Sequence, residues 1–191
     1  VYIPKSPYMA LAQQWMNFDA FMYALMDDEP AMTELMQIID QSYDTLYQQL
    51  CEHRATPILN FGENLASAYF SPDYFERFMM PWYEKRVGQL HEAGIFSHIH
   101  IDGYFKPFIS LIRDLPHDGL EALTPLPQGD VTLEEMAQAV GDKILLDGVP
   151  AVYFLDHHSR DELKQCVDEL IERFHPKLVL GISDELPQAA T

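Results

Sequence analysis

Apolar and polar positions follow two different periods along the chain, and the two periods alternate. Short continuous apolar runs, which predict buried strands, are found at 56–62, 96–101, 119–125, 143–147 and 177–183. Between these runs, apolar residues recur at helical spacing, as in Leu163, Val167, Leu170 and Phe174. Strands that alternate with helices in this way indicate βαβ units and a parallel sheet.

Several helix starts are marked by residues that cap the first turn or fit it sterically. They are Asp28 or Glu29 before Pro30, Ser71 before Pro72, Thr132 with Glu135, and Ser159 with Glu162. The last two pairs have the spacing of a capping box. A helix is also predicted over 104–115, and Pro81 is predicted to bend the helix that follows Ser71.

The number of strands limits the possible architectures. We count five, or six if the opening segment 1–4 forms a strand, in a chain of 191 residues. A closed (β/α)₈ barrel usually needs about 250 residues. The pattern therefore predicts either an incomplete barrel, with its remaining strands outside this sequence, or an open α/β sheet.

Charge and cysteine usage narrow the cellular context. The formal net charge is −18, from 30 acidic against 12 basic residues, so nucleic acid and anionic membranes are not expected partners. Neither Cys51 nor Cys166 belongs to a C-x-x-C pair, which predicts a reducing cytoplasm and no disulfide framework. No apolar run approaches the roughly 18 residues of a membrane span.

Carboxylates follow the ends of several predicted strands. These residues are Glu63, Asp102, Asp147, Asp184 and Glu185. Function in parallel α/β folds gathers at the carboxyl ends of the strands, so these side chains are expected to line one rim.

The segment 98–102 is the most informative part of the sequence. Side chains alternate across a strand, so His98, His100 and Asp102 share one face while Ile99 and Ile101 share the other. Imidazole and carboxylate are ordinary ligands of Zn²⁺. A polar layer that is hydrogen-bonded without metal is the alternative. His98 lies further from the strand end, which favours a supporting or buried role.

Each of the other rim residues also has a simpler interpretation. Glu63 could act as a base or ligand, or it could cap the next helix. Asp147 precedes Gly148, so its sole role could be to form a turn. Asp184 or Glu185 could cap a loop.

At these segments the sequence resembles the uroporphyrinogen decarboxylase superfamily. The resemblance runs through 7–8, 28–30, 61–65, 71–75 with 81–82, 100–103, 141–143 and 181–187. It implies that 1–191 is one domain, the C-terminal portion of a TIM (β/α)₈ barrel with about five to six strand–helix units. Family members either decarboxylate uroporphyrinogen without a cofactor, or transfer methyl groups between a corrinoid protein and an acceptor with the help of zinc.

The sequence departs from both branches of the family. Near the last strand the decarboxylase has a histidine, where this chain reads Ser183-Asp184-Glu185. The methyltransferases use a His-x-Cys pair where this chain has His100-x-Asp102, and a later cysteine for which Asp184 or Glu185 is the nearest substitute. Harder oxygen ligands leave a metal a stronger Lewis acid, which suits activation of an O-methyl group.

The resemblance therefore implies a methyltransferase that moves a methyl group between an O-methyl or similar small molecule and a corrinoid protein. It places zinc at His100, Asp102, Asp184 and Glu185, with His98, Glu63 and Asp147 as catalytic residues. The rest of the barrel or a second copy of the chain is the expected partner for the open sheet edges. The alternatives are a cofactor-free decarboxylase of an acidic substrate and a non-catalytic binding subunit.

Overall fold

A computed structural model of the protein describes residues 1–183. The strands are β1 (Tyr2–Ile3), β2 (Ile58–Leu65), β3 (Phe96–Ile101), β4 (Gly119–Glu121), β5 (Ile144–Val149) and β6 (Leu178–Ile182). The α-helices are α1 (Pro7–Ala10), α2 (Phe18–Asp27), α3 (Glu29–Ser42), α4 (Asp44–His53), α5 (Pro72–Tyr74), α6 (Met80–Glu92), α7 (Ile109–Ile112), α8 (Leu133–Val140) and α9 (Arg160–Phe174).

The six strands form one sheet in their chain order, β1-β2-β3-β4-β5-β6. The pairs β1–β2, β3–β4, β4–β5 and β5–β6 are parallel. Helices connect successive strands, as parallel pairing requires. The predicted α/β fold, an incomplete TIM barrel of about five to six strand–helix units, is confirmed: the described residues contain six strands, and helices follow the first five.

The chain contains two compact units. The first comprises residues 1–63, 69–97 and 115–117, and the second comprises 64–68, 98–114 and the described residues from 118. The first has an aromatic core in which Phe61 and Tyr83 pack edge-on against His117, at ring-centroid distances of 4.6 and 5.2 Å. In the second, Ile99, Leu120 and Leu145 are fully buried.

The first unit also contains a buried cation. The Arg86 side chain is 0% exposed, and its Nε donates to Oδ1 of Asp40 over 2.8 Å. Its guanidinium lies over the Tyr47 ring, 4.6 Å from the centroid. The same Asp40 oxygen accepts from Nε1 of Trp82 over 2.7 Å. Asp40 thus joins α3 to two neighbouring residues of α6.

The predicted helix starts are confirmed where capping groups identified them. Asp28 and Ser71 accept backbone hydrogen bonds as N-caps, and both capping boxes form, at Thr132 with Glu135 and at Ser159 with Glu162. The helical spacing of Leu35, Ile39, Leu46 and Leu50 predicts one helix that continues to about His53, and this prediction is wrong, because the helix is interrupted at Tyr43.

Pro81 falls in the first turn of α6, directly after a π-helical turn at Phe75–Met79. Proline has no N–H to donate to the carbonyl four residues earlier. The wider π-turn is the local form that the backbone adopts beside this missing bond.

Two other predicted elements are shorter than expected. The predicted helix over 104–115 contains only a 3₁₀ turn at Lys106–Phe108 and the four residues of α7. The predicted strand at 119–125 ends at Glu121, because Ala122 adopts a left-handed φ of 65° and turns the chain out of the sheet.

Two expectations from composition can be checked in the described residues. Cys51 and Cys166 are both free, as predicted. Between residues 1 and 183, no helix is both long and apolar enough to cross a membrane.

The Asp40→Ala substitution should lower the free energy of unfolding by about 3 kcal/mol, because it leaves the fully buried Arg86 without its main counter-charge. Urea denaturation followed by circular dichroism measures this loss. Glu29→Ala is the matched control, since it removes the carboxylate of an exposed ion pair with Arg77. Equal losses in both variants would contradict the importance of the buried pair.

Candidate functional site

The candidate site is built by the register of β3 and β4. His98 pairs with Gly119 and His100 pairs with Glu121. The Nδ1 atom of His100 lies 3.2 Å from Oε2 of Glu121, and Nδ1 of His98 lies 3.6 Å from the same oxygen. The two imidazoles therefore share one face of β3, as alternation predicted, and both face a single carboxylate.

His98 and His100 relate differently to this carboxylate. The His100 distance allows a hydrogen bond, whereas the buried Nδ1 of His98 has no hydrogen-bond partner among residues 1–183. A β-carbon at Gly119 would come within 3.2 Å of the His98 β-carbon. The absence of a side chain at 119 therefore leaves the space that His98 needs.

Asp147 stands on the next strand, β5, in an uncommon conformation. Its φ is 72°, and a β-carbon added at Gly181 on β6 would lie only 2.3 Å from its Oδ1. The carboxylate thus occupies the space beside Gly181 where another residue would have its side chain. No ion pair or side-chain hydrogen bond involves this carboxylate within residues 1–183.

Left-handed backbone recurs in the second unit within two residues of the carboxyl ends of successive strands. Asn64, Gly103, Ala122 and Asp147 have φ values of 52°, 64°, 65° and 72°. Three of the four are not glycine, and such residues cost of order 1–3 kcal/mol each when the conformation is sparsely populated. Strain of this kind is concentrated at functional sites, so its position supports the carboxyl ends of the strands as the active rim.

Charges in this cluster shift the ionisation of two members. Burial raises the pKa of Asp147, the negative charge of Glu121 raises it further, and His100 opposes them. Burial lowers the pKa of His98, although the Glu121 charge acts in the other direction. At neutral pH, His98 is therefore expected to be the uncharged imidazole.

The predicted metal ligands are only partly assembled by the described residues. Asp102 has left the strand, and its Oδ1 accepts from the backbone N–H of Gly103 over 2.6 Å. No group of three or more His, Cys, Asp or Glu side chains between residues 1 and 183 is arranged to hold a metal ion. Asp184 and Glu185, the other two predicted ligands, lie outside the described residues.

Glu63 belongs to the first unit, where it is completely buried within β2. Its Oε1 accepts from the Ser6 backbone N–H over 2.5 Å, and its Oε2 accepts from Ser6 Oγ and Tyr83 OH over 2.7 and 3.0 Å. Burial raises the pKa of Glu63, while Ser6 and Lys5 oppose the increase. The carboxylate joins β2 to the N-cap of α1, an arrangement that favours a structural role over the predicted catalytic one.

Sequence reasoning missed Glu121. The expected strand ran to residue 125, which placed Glu121 inside the strand rather than at its end. The available signal was the pair of prolines at 125 and 127, which cannot donate to a sheet ladder. An earlier strand end would have placed Glu121 on the same rim as Asp102 and Asp147.

Comparison with known proteins decides the family. The family model described as uroporphyrinogen decarboxylase (URO-D) matches residues 6–190. The chain belongs to the uroporphyrinogen decarboxylase family. No curated protein matches it in sequence.

One solved structure shows the fold of this URO-D family member. A methyltransferase from Methanosarcina mazei superposes with a TM-score of 0.72 at 17% identity, over 97% of this chain and 54% of that one. A protein named as an orotidine 5'-phosphate decarboxylase from Streptomyces avermitilis gives a TM-score of 0.46 at 13% identity, over 78% and 56% of the two chains. The URO-D chain thus spans about half the length of these proteins.

The Glu63→Gln substitution should change how stability depends on pH. A carboxyl group with a raised pKa in the folded state stabilises the fold at low pH, and this contribution is lost as pH rises through that pKa. From the usual value of 4.5 upward, the variant should therefore gain stability relative to wild type, by at most about 1.4 kcal/mol per pH unit.

Urea unfolding at several pH values between 4.5 and 8 measures this difference. Glu84→Gln, at an exposed position of α6, is the control for removal of a surface charge. A stability difference between wild type and Glu63→Gln that does not change with pH would contradict the prediction.

Proposed function

We propose that the protein is an enzyme that transfers a methyl group between an O-methyl or similar small molecule and a corrinoid carried by a partner protein. The observation that carries the proposal is the sharing of the Glu121 carboxylate by two imidazoles at the carboxyl ends of adjacent parallel strands. Membership of the URO-D family and the fold shared with a methyltransferase support it.

The His100–Glu121 pair supplies a defined imidazole. A proton on Nδ1 donates to the Glu121 carboxylate, which leaves the lone pair of Nε2 available. Such an imidazole can accept a proton at Nε2 and pass it on, or it can bind a metal ion through Nε2. Glu121 acts here through His100 and fixes its tautomer.

Methyl transfer from oxygen needs a proton at the leaving atom. When the O–CH₃ bond breaks, its electron pair stays on the oxygen, and the resulting alkoxide or phenoxide is stabilised by protonation. The raised pKa of Asp147 keeps a larger share of this carboxyl protonated than usual, and the group is only partly buried. Asp147 is therefore the proposed proton donor, with His98 and His100 nearby as acceptors.

The proposal includes a zinc ion, and two of its predicted ligands, Asp184 and Glu185, lie outside the described residues. His100 is prepared as a nitrogen ligand by its bond to Glu121, and Asp102 adjoins it, but a complete set requires Asp184 or Glu185. A bound zinc ion would act as a Lewis acid on the methylated oxygen. The residues described between 1 and 183 do not by themselves form such a site.

A decarboxylase remains the alternative from the same family. It would use Asp147 or His98 to protonate the carbanion formed when carbon dioxide leaves. The carboxylates Glu121 and Asp147 would repel a substrate with several carboxylate groups, which disfavours this alternative. A non-catalytic binding subunit would show neither activity.

The Glu121→Gln variant should reduce methyl transfer by about 10- to 100-fold, the usual cost of removing a partner that orients a functional imidazole. The assay follows the spectral change of free cob(I)alamin to methylcobalamin, with a panel of O-methyl and N-methyl donors. Asp168→Asn, an exposed carboxylate of α9, is the control and should retain full activity.

Metal content is measured beside activity, by elemental analysis of wild type and of the His100→Ala/Asp102→Ala double variant. About one zinc per chain that is lost in the double variant is the expected result. Activity that persists in both the double variant and Glu121→Gln would overturn the proposed site, and turnover of uroporphyrinogen instead of methyl donors would replace it with the decarboxylase.

A further inference from the structure

A pair of buried hydroxyl groups links the ends of three strands in the second unit. Thr124 follows β4 and Ser183 follows β6, and the two residues are only 6% and 4% exposed. Oγ1 of Thr124 and Oγ of Ser183 lie 2.6 Å apart. The Thr124 oxygen also lies 2.9 Å from the carbonyl oxygen of Ala122, and the Ser183 oxygen lies 3.0 Å from that of Val149, the last residue of β5. The proposed function assigns no task to these four residues.

Each hydroxyl carries one proton, so two protons are distributed over these three contacts. At 2.6 Å the two side-chain oxygens require a proton between them, because facing lone pairs would repel each other. The other proton goes to Val149 when Thr124 donates to Ser183, or to Ala122 when Ser183 donates to Thr124. Val149 accepts from the Ser183 backbone N–H over 3.0 Å in both cases. Either arrangement therefore joins the segment after β4 to the end of β6.

The contact with Ala122 is important because β4 ends directly before this residue. Ala122 has a left-handed φ of 65° and follows Glu121, the last residue of the strand. A residue with a side chain keeps such a backbone conformation only where surrounding contacts hold it. The Ala122 N–H donates to the carbonyl oxygen of Leu146 over 3.3 Å, and its own carbonyl oxygen lies beside the Thr124 hydroxyl. Thr124 thus contributes to fixing the point at which the chain leaves the sheet after Glu121.

The loop that carries Thr124 is tightly packed. The Gly129 N–H donates to the carbonyl oxygen of Pro125 over 3.0 Å, and a β-carbon at 129 would overlap the carbonyl oxygen of Thr124. The Val152 N–H, in the 3₁₀ turn after β5, donates to Oε1 of Gln128 over 3.2 Å. A side chain that positions another residue needs a rigid support of this kind.

We propose that Thr124 and Ser183 are positioning residues of the rim. Their hydroxyl pair holds the left-handed turn at Ala122, and this turn keeps the Glu121 carboxylate within hydrogen-bond distance of His100. The inference rests on the proposed function, in which Glu121 fixes the tautomer of His100. It extends that function to two uncharged, buried residues on the loops after β4 and β6.

Removal of either hydroxyl tests the inference through methyl transfer to free cob(I)alamin. Thr124→Val removes the hydroxyl with little change of shape, and Ser183→Ala removes its partner. Each should lower kcat about tenfold and change KM less than about twofold, because orientation is lost while substrate binding is retained. Thr124→Ser keeps a hydroxyl and should restore kcat to within about twofold of wild type.

Thr132→Val is the matched control, because it removes a hydroxyl that caps α8 in the same unit. It should lower stability without lowering kcat. A loss of kcat in Thr132→Val as large as in Thr124→Val, or a Thr124→Ser variant as impaired as Thr124→Val, would overturn the inference, since either result indicates a general loss of packing.

Coupling between variants shows whether Thr124 acts through Glu121. The Thr124→Val/Glu121→Gln double variant should have a kcat within about twofold of Glu121→Gln alone, because the carboxylate to be positioned is already absent. Losses that multiply fully in the double variant would contradict the inference.

The tautomer of His100 provides a measurement that does not require turnover. Long-range ¹H–¹⁵N NMR spectra, assigned with a His100→Gln variant, should show the wild-type imidazole proton on Nδ1. In Thr124→Val and Ser183→Ala the spectra should show a mixture of both tautomers, whereas Thr124→Ser and Thr132→Val should match wild type. If these spectra change as expected but no variant or wild type transfers methyl groups, the positioning stands and the proposed function fails. If methyl transfer occurs and the His100 spectrum is unchanged in both Thr124→Val and Ser183→Ala, the proposed function stands and the positioning is overturned.

Discussion

The pairing of β3 with β4 determines which side chains can meet at the carboxyl ends of the strands. His100 is aligned with Glu121 on the neighbouring strand. Since side chains alternate along β3, Ile99 and Ile101 point to the opposite face, where they are fully buried. Side chains alternate with a period of two, so a shift of one residue would bury the imidazoles and expose the isoleucines. The need to bury the isoleucines on one face of β3 therefore fixes the positions of the imidazoles on the other face.

Two acidic residues show how the same functional group can serve different purposes. Both oxygens of Glu63 accept hydrogen bonds from Ser6 and Tyr83 within a completely buried setting, which joins a helix to a strand. Asp147 is held by backbone geometry instead, and its oxygens are left partly exposed. The number of internal donors around each carboxylate, rather than its position at a strand end, distinguishes one that holds the fold together from one that is left available for the proposed chemistry.

Local signals in the sequence predicted much of the fold. The capping boxes at Thr132 and Ser159 depend on contacts three residues apart, and β3 has the predicted limits of 96 and 101. The errors occurred where contacts distant in sequence, or the local backbone conformation, determine where an element ends. The interruption at Tyr43 and the π-turn before Pro81 change the helix without changing the apolar pattern. Alternation along β3 predicted that His98 and His100 share one face. Identifying Glu121 as the carboxylate that faces them required knowledge of where β4 ends.

Gly181 has a consequence for how this rim can change. The residue has no functional group, yet the space that it leaves empty is filled by the carboxylate of Asp147. A single methyl group at 181 would compete with that carboxylate for the same volume, while every ionisable residue remained in the sequence. Loss or redirection of the chemistry during divergence of related proteins could therefore begin at a position that a survey of catalytic residue types would pass over.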